Sequence, residues 1–293
     1  MDAKLTELVR LLDLEQLEDN IFRGESRDIG SPQVYGGQVL GQALRAAYTT
    51  VEPERPAHSL HAYFLRRGDF RAPIVYFVDR SRDGHSFSSR RVTAIQHGEQ
   101  IFHMSASFQT EETGLEHQLP MPEAPPPERL PRAPAVAPRV LELLPQRMQR
   151  DDGWKRPFEF RLVNPEDIPA AGRMPAQQWV WMRAIDRLPD DPTLHHALLA
   201  YVSDFHLLGT AIIPHNAAYL SGHVQRASID HAMWFHRALR IDEWLLYAID
   251  SPCAAGARGF SRGSMYNRDG VLGISTAQEG LLRVIEGTSE LSS

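Results

Sequence analysis

The sequence predicts an α+β protein made of two tandem copies of one plan, a long helix followed by an antiparallel sheet. The first observation behind this is a repeat. The stretch from Ser59 to Gln109 recurs from Ser228 to Gln278. Each copy opens on a serine at the head of a strand-like run, carries an apolar run in its middle (Ile74 to Val78; Trp244 to Ile249) and closes on small residues and a glutamine. A long-period duplication sets the architecture before any motif is read. The second observation is a series of short runs punctuated by turn residues, the mark of antiparallel strands. The third is a proline-dense stretch between the copies.

Along the chain, Leu5, Leu8, Val9, Leu11, Leu12 and Leu17 have roughly helical spacing and predict a short amphipathic helix over 4–18. A second helix is predicted from Tyr35 to Tyr48, with Val39, Leu40, Ala43 and Ala47 on one face. Its glycines cost about 1 kcal/mol each relative to Ala. They imply close approach of the backbone to a sheet or a ligand. Strands follow over 58–68, 72–80, 86–97 and 100–110, with His97-Gly98-Glu99 as a hairpin turn. Residues 116–150 read as a linker, because Pro120, Pro122, Pro125, Pro126, Pro127, Pro131, Pro134 and Pro138 forbid a long helix and a central strand. It is expected to be extended. The second copy is predicted to have strands at about 157–163 and 177–187, a helix over about 193–208, and strands at 226–236, 243–250, 256–266 and 271–280. Asn267-Arg268-Asp269-Gly270 is its hairpin turn. The chain divides into residues 1–115, 116–150 and 151–293.

Composition narrows the function classes. An apolar content of 42% and a charge content of 23% are those of a soluble globular chain. A net charge of −6 gives no reason to expect nucleic acid as partner. The single cysteine, Cys253, excludes an internal disulfide framework and a cysteine-based zinc site, and fits a reducing compartment. The amino-terminal residues do not read as a signal peptide, and the last residues are not a peroxisomal signal. No stretch reads as a membrane span. Cytoplasmic residence is the expectation.

Several motifs fail on their context. Gly259-Phe260-Ser261-Arg262-Gly263 has the spacing of a nucleophile elbow, but its flanks read as continuous strand and no histidine follows it. Thirteen histidines show no ligand spacing for a metal. No glycine-rich phosphate loop is present. A better lead combines three polar residues. On the helix at 193–208, Leu194, Ala197, Leu198, Tyr201, Phe205 and Leu208 form one stripe, and Asp204 falls at its edge. A carboxylate at the margin of a buried face needs a partner. Strand alternation places Ser228 with Asp230, Ala232 and Trp234, and Gln278 with Thr276 and Ile274. If helix and strands cross, a carboxylate, a hydroxyl and an amide together position one water. Spacing alone favours the plainer alternative, in which Ser228 and Gln278 merely satisfy each other on a sheet face.

At these residues a family resemblance emerges. Ser228-Ile229-Asp230-His231-Ala232-Met233-Trp234-Phe235-His236, Glu243 to Tyr247, Ala257-Arg258-Gly259 and Gln278-Glu279-Gly280 closely resemble the type II acyl-CoA thioesterases, the TesB-like family. So do Tyr35-Gly36-Gly37-Gln38, His58 to Phe64, Arg82-Asp83-Gly84 and Ser88 to Arg91 in the first copy. The resemblance implies a double hotdog, two tandem repeats of an antiparallel sheet wrapped around a long central helix. It implies hydrolysis of acyl-CoA thioesters without a cofactor or metal. The family's acid, hydroxyl and amide map onto Asp204, Ser228 and Gln278, with Ser where other members have Thr. No acid matches Asp204 in the first copy, so one active site per chain is expected. His58, Arg90 and Arg91 are candidate substrate-binding residues; the two arginines belong to a local excess of Arg66, Arg67, Arg71, Arg80, Arg82, Arg90 and Arg91 over Asp69, Asp79 and Asp83. A backbone N–H near Gly36 or Gly37 is a candidate oxyanion donor. A homodimer or higher homo-oligomer is expected. Two rivals keep the fold: an acyl-CoA dehydratase, and a non-catalytic acyl-CoA-binding protein. Adjacency of Asp230 and His231 argues against the first, because they face opposite ways on a strand.

Overall fold

The computed structural model describes residues 1–29, 31, 33–131, 157–163, 175–215 and 224–285. The first copy comprises α1 (Ala3–Leu11), β1 (Glu15–Glu18), β2 (Ile21–Gly24), α2 (Gly36–Tyr48), β3 (Ala57–Phe64), β4 (Ile74–Asp83), β5 (Phe87–Gln96) and β6 (Glu99–Gln109). The second comprises β7 (Phe158–Leu162), β8 (Gln177–Ala184), α3 (Pro192–Ser203), α4 (Leu207–Thr210), β9 (Val224–Ser228), β10 (Asp230–Phe235), β11 (Leu245–Ala255), β12 (Arg258–Tyr266) and β13 (Leu272–Val284).

The described strands form one antiparallel 13-stranded sheet in the order β1-β2-β4-β5-β6-β3-β10-β13-β12-β11-β8-β7, with β9 also paired to β13. The order is a near-palindrome about the β3–β10 pair, where Leu60 lies opposite Met233. The two copies thus share one sheet, and their helices α2 and α3 pack on each other inside it. This is the double hotdog. Burial follows the strand period of two, as in β5, where Ser88, Arg90, Val92, Ala94 and Gln96 face the helices. The β5–β6 hairpin closes through His97 (φ 50°) and Gly98 (φ 77°), the two left-handed residues such a tight turn requires.

The expected close approach made by the glycines of α2 is onto a helix. A Cβ on Gly37 would collide with the carbonyl oxygen of Tyr201, and one on Gly41 would lie 2.9 Å from the carbonyl oxygen of Ala197. The two helix backbones therefore touch without intervening side chains. Gln42, fully buried on α2, donates to the Leu11 carbonyl at the end of α1 (2.7 Å) and accepts from the Tyr76 hydroxyl (2.7 Å).

Three predicted elements differ. The first helix ends at Leu11, and residues 15–18 instead pair with β2; Leu17 is exposed there because the helical spacing breaks after Leu12. The helix predicted over 193–208 breaks after Ser203, with Asp204 as its C-cap and His206 left-handed (φ 68°) before the short α4. By composition Pro192–His215 has the length and hydropathy of a membrane span, but 61% of its most apolar window is buried inside the fold. Third, the strand predicted over 226–236 is interrupted at Ile229. Of the proline-rich segment, 132–150 lies outside the described residues. The part before it lies against the second copy: the Trp181 indole donates to the Pro125 carbonyl (2.9 Å), and Met121, Ala124 and Leu130 pack on Trp181, Trp244 and Leu246.

Gly41→Ala tests the helix contact. At an open helix position this change stabilises by about 1 kcal/mol. Here it is expected to destabilise by about 1–3 kcal/mol, because the new methyl separates two packed backbones. Thermal unfolding measures the sign.

Candidate active site

The interruption at Ile229 builds the site. Ala232 pairs with Ala277, and unbroken pairing would set Ser228 opposite Leu281; it lies instead opposite Gly280. A one-residue slip turns a side chain to the other face of a sheet. Strand alternation alone groups Ser228 with Asp230 and Ala232; the bulge separates it from them and puts it beside Gln278. The bulge is held by the Ile229 amide donating to the Glu279 carbonyl (2.9 Å) and by the Glu279 amide donating to the Asp230 carboxylate (2.6 Å). Burial, opposed by the Glu279 amide, raises the Asp230 carboxyl above the ordinary range.

Asp204, Ser228 and Gln278 meet. The Gln278 amide Nε2 donates to Asp204 Oδ1 (2.9 Å) and to Ser228 Oγ (2.8 Å). The other carboxylate oxygen of Asp204 accepts the Gly37 amide of α2 (3.0 Å). Asp204 thus sits between the carboxyl end of its own helix, whose dipole disfavours a negative charge, and the amino end of α2, whose dipole favours it. With both Nε2 protons engaged, the Ser228 hydroxyl keeps its own proton to donate. Gln278 is 1% exposed, and its carbonyl oxygen is buried with no partner among the described residues. Leaving such an acceptor unmet costs about 1–3 kcal/mol.

Beneath the trio runs a buried polar layer that sequence reasoning missed. The Ser203 hydroxyl donates to the Ala200 carbonyl (2.9 Å) and meets His231 Nε2 (2.9 Å). The Tyr247 hydroxyl donates to the Ser203 carbonyl (3.0 Å) and meets Thr276 Oγ1 (2.8 Å). These bonds fasten the last turn of α3 to the sheet next to Asp204. His231 is fully buried, so it does not open on the cleft. Burial lowers its pKa to about 4, keeping it neutral. The only sequence signal for the layer was a histidine on the inward face of β10.

A cleft of about 250 Å³ reaches the trio at Ser228 and is lined also by Val34, Gly36, Val39, Phe64 and Ile101, with Arg66 and Arg67 on its wall. Arg66 is tied to Glu99 (2.7 Å) and to the Gln100 carbonyl. Arg67 is exposed and has no ion pair among the described residues.

The other candidates lie elsewhere. His58 stands at the start of β3, whereas Phe64 at its end touches the Gly36 position. They are six residue steps apart along the strand, about 20 Å. His58 instead bonds Ser107 Oγ (2.8 Å) and lines a larger cavity of about 700 Å³ at the opposite end of the helix pair, as does Gln109. At that end no carboxylate takes the place of Asp204: the Tyr48 hydroxyl meets His196 Nδ1 (2.6 Å) and accepts the Ala57 amide. Burial keeps both neutral, raising Tyr48 and lowering His196 to about 4. Arg90 is 2% exposed, and its five N–H groups are engaged by Thr50 Oγ1, Asp83 and the carbonyls of Thr50, Arg82 and Ser89. With no donor left for a phosphate, Arg90 anchors the end of α2, which corrects the expectation of substrate contact. Arg91 points to the opposite, exposed face. Among the described residues no group of three potential ligands could hold a metal ion.

Comparison with known proteins matches the two copies to two family models. Residues 23–109 match "Acyl-CoA thioesterase N-terminal domain", and residues 154–281 match "Acyl-CoA thioesterase". The chain is 43% identical to Acyl-CoA thioesterase 2 of Haemophilus influenzae, over 98% of this chain and 100% of that one. It is 38% identical to human Acyl-coenzyme A thioesterase 8, over 99% of this chain and 92% of that one. Among solved structures, an acyl-CoA thioesterase II, TesB2, from Mycobacterium marinum is 45% identical with a TM-score of 0.79, covering 96% of this chain and 99% of that one.

The buried histidines set an acid limit on stability. His196 and His231 titrate near 4 when folded, against about 6.5 when unfolded. The unfolded chain therefore binds more protons between these values. The stabilisation is fully present above pH ~6.5 and is lost as pH falls towards 4, on the order of 3 kcal/mol for each residue. Thermal midpoints measured between pH 8 and pH 4 are expected to fall below pH ~6.5, and less steeply in His231→Gln.

Proposed function

The chain belongs to the acyl-CoA thioesterase family and hydrolyses acyl-CoA thioesters to the free acid and CoA, and from that premise we propose that Asp204, Ser228 and Gln278 activate and aim the attacking water. The observation that carries this is the convergence of all three side chains on one hydrogen-bonded unit whose Ser228 lines a cleft.

The roles follow from the donor pattern. Asp204 takes a proton from the water as its oxygen attacks the thioester carbonyl carbon. Ser228 and Gln278 fix the direction of approach, which removes orientational freedom from the reacting pair. A tetrahedral oxyanion results. The Gly37 amide already serves Asp204, so the donor we assign to the oxyanion is the Gly36 amide, a first-turn N–H with no acceptor within its own helix. Collapse expels the CoA sulfur, and the proton held by Asp204 passes to the thiolate. The acid, the thiol and the resting carboxylate remain.

One active site per chain is part of this reading. The Tyr48–His196 pair at the opposite end is neutral and offers no carboxylate base. Arg67 is our assignment for a CoA phosphate contact, since it combines a place on the cleft with a charge that has no ion pair among the described residues. We further propose cytoplasmic residence and a homodimer or higher assembly. The exposed Tyr63 and Leu65 are candidates for its interface, and light scattering tests it.

Asp204→Asn keeps the shape and removes the base. A kcat lower by roughly 10²–10⁴-fold with acyl-CoA binding retained is expected, read as thiol released after subtraction of the exposed Cys253. Full activity in this variant would sink the assignment. Arg67→Ala is expected to raise KM several-fold at unchanged kcat, and to weaken its dependence on ionic strength.

A further inference from the structure

Gln278 on β13 and Ser261 on β12 are directly opposite each other in the sheet. Such residues share a face, with Cβ atoms about 4.5–5.5 Å apart. Both are buried, at 1% and 0% exposure. The amide of Gln278 has one permissible orientation: the Asp204 carboxylate only accepts, so the nitrogen faces it and the carbonyl oxygen faces away. That oxygen has no partner among the described residues, and neither does Ser261 Oγ. One is an acceptor without a donor; the other is a donor without an acceptor. Gly259 and Gly263 flank Ser261 on the same face. The atoms crowding those positions belong to Leu282 and Ala211, and to the Tyr247 ring and Thr276. Thr276 and Tyr247 are already bonded to each other.

We propose that Ser261 is a positioning residue for Gln278. Its hydroxyl donates to the Gln278 carbonyl oxygen, through another staggered rotamer about χ1 or through one buried water held by both atoms. The bond resists rotation of the amide, which would turn its oxygen onto the Asp204 carboxylate and release Ser228. This gives the serine of the Gly259–Gly263 pentapeptide a role that the elbow spacing does not describe. Among the described residues no general base lies within hydrogen-bond reach of Ser261 Oγ, so it is not a nucleophile. The inference rests on the assignment of Gln278 to the catalytic unit.

The test is a double-mutant cycle on the full chain with Ser261→Ala and Gln278→Ala, following loss of thioester absorbance. Ser261→Ala is expected to lower kcat about threefold to tenfold at unchanged KM, the scale of one neutral hydrogen bond. Ser261→Thr, which keeps the hydroxyl, is expected to restore kcat. In the Gln278→Ala background the further change Ser261→Ala should have no effect. Wild-type kcat in Ser261→Ala, or a loss that persists in full without the Gln278 amide, overturns the positioning role and leaves the trio standing. Wild-type kcat in Gln278→Ala overturns the trio itself, and the positioning role with it.

Discussion

The contact between the backbones of α2 and α3 is the constraint on which the rest depends. Two helices normally stand 8–10 Å apart, with side chains between them. Here Gly37 and Gly41 remove those side chains, and the carbonyls of Tyr201 and Ala197 lie where a Cβ would be. The approach carries the first turn of α2 to the last turn of α3. It is why an amide of one copy, Gly37, can meet a carboxylate of the other, Asp204. The site is therefore a property of the joint between the copies, and neither copy holds it alone.

The joint has two ends related by the near-palindromic order of the strands, and they differ chemically. One end carries a carboxylate anchored by a helix amino terminus and by an amide. The other carries a buried tyrosine and histidine whose surroundings keep both uncharged. The larger cavity lies at the second end, yet the convergent hydrogen bonds lie at the first. Volume alone thus points away from the proposed site. Among the described residues, only the first end holds a carboxylate in a joint hydrogen-bonded unit with an amide and a hydroxyl.

The backbone irregularity in the β9–β10 stretch does comparable work on the sheet side. A regular strand through Ser228 would send its hydroxyl to the face of Asp230 and Ala232. The slip that pairs Ser228 with Gly280 turns it inward, and the Ile229 amide and the Asp230 carboxylate satisfy the peptide groups left over. Bulges beside functional sites re-aim a side chain in this way. The C-cap position of Asp204 is a second such device: ending α3 at Ser203 sets the carboxylate at the helix terminus, where it reaches across to α2.

The sequence by itself determined the duplication, the antiparallel strands, the two central helices and the identity of three polar residues. These follow from periodicity and turn chemistry, which act over a few residues and are written locally. The family resemblance then supplied their grouping. Only the tertiary structure decided which face Ser228 takes, because one unpaired residue reverses an alternation that sequence reading assumes regular. Only it showed that Arg90 is closed off by five acceptors and that His58 lies a strand length from the trio, since exposure and distance depend on partners far away in the chain. The pairing of Ser261 with Gln278 belongs to the same class. Strand register is set by the packing of the whole sheet, and no short stretch of sequence contains it.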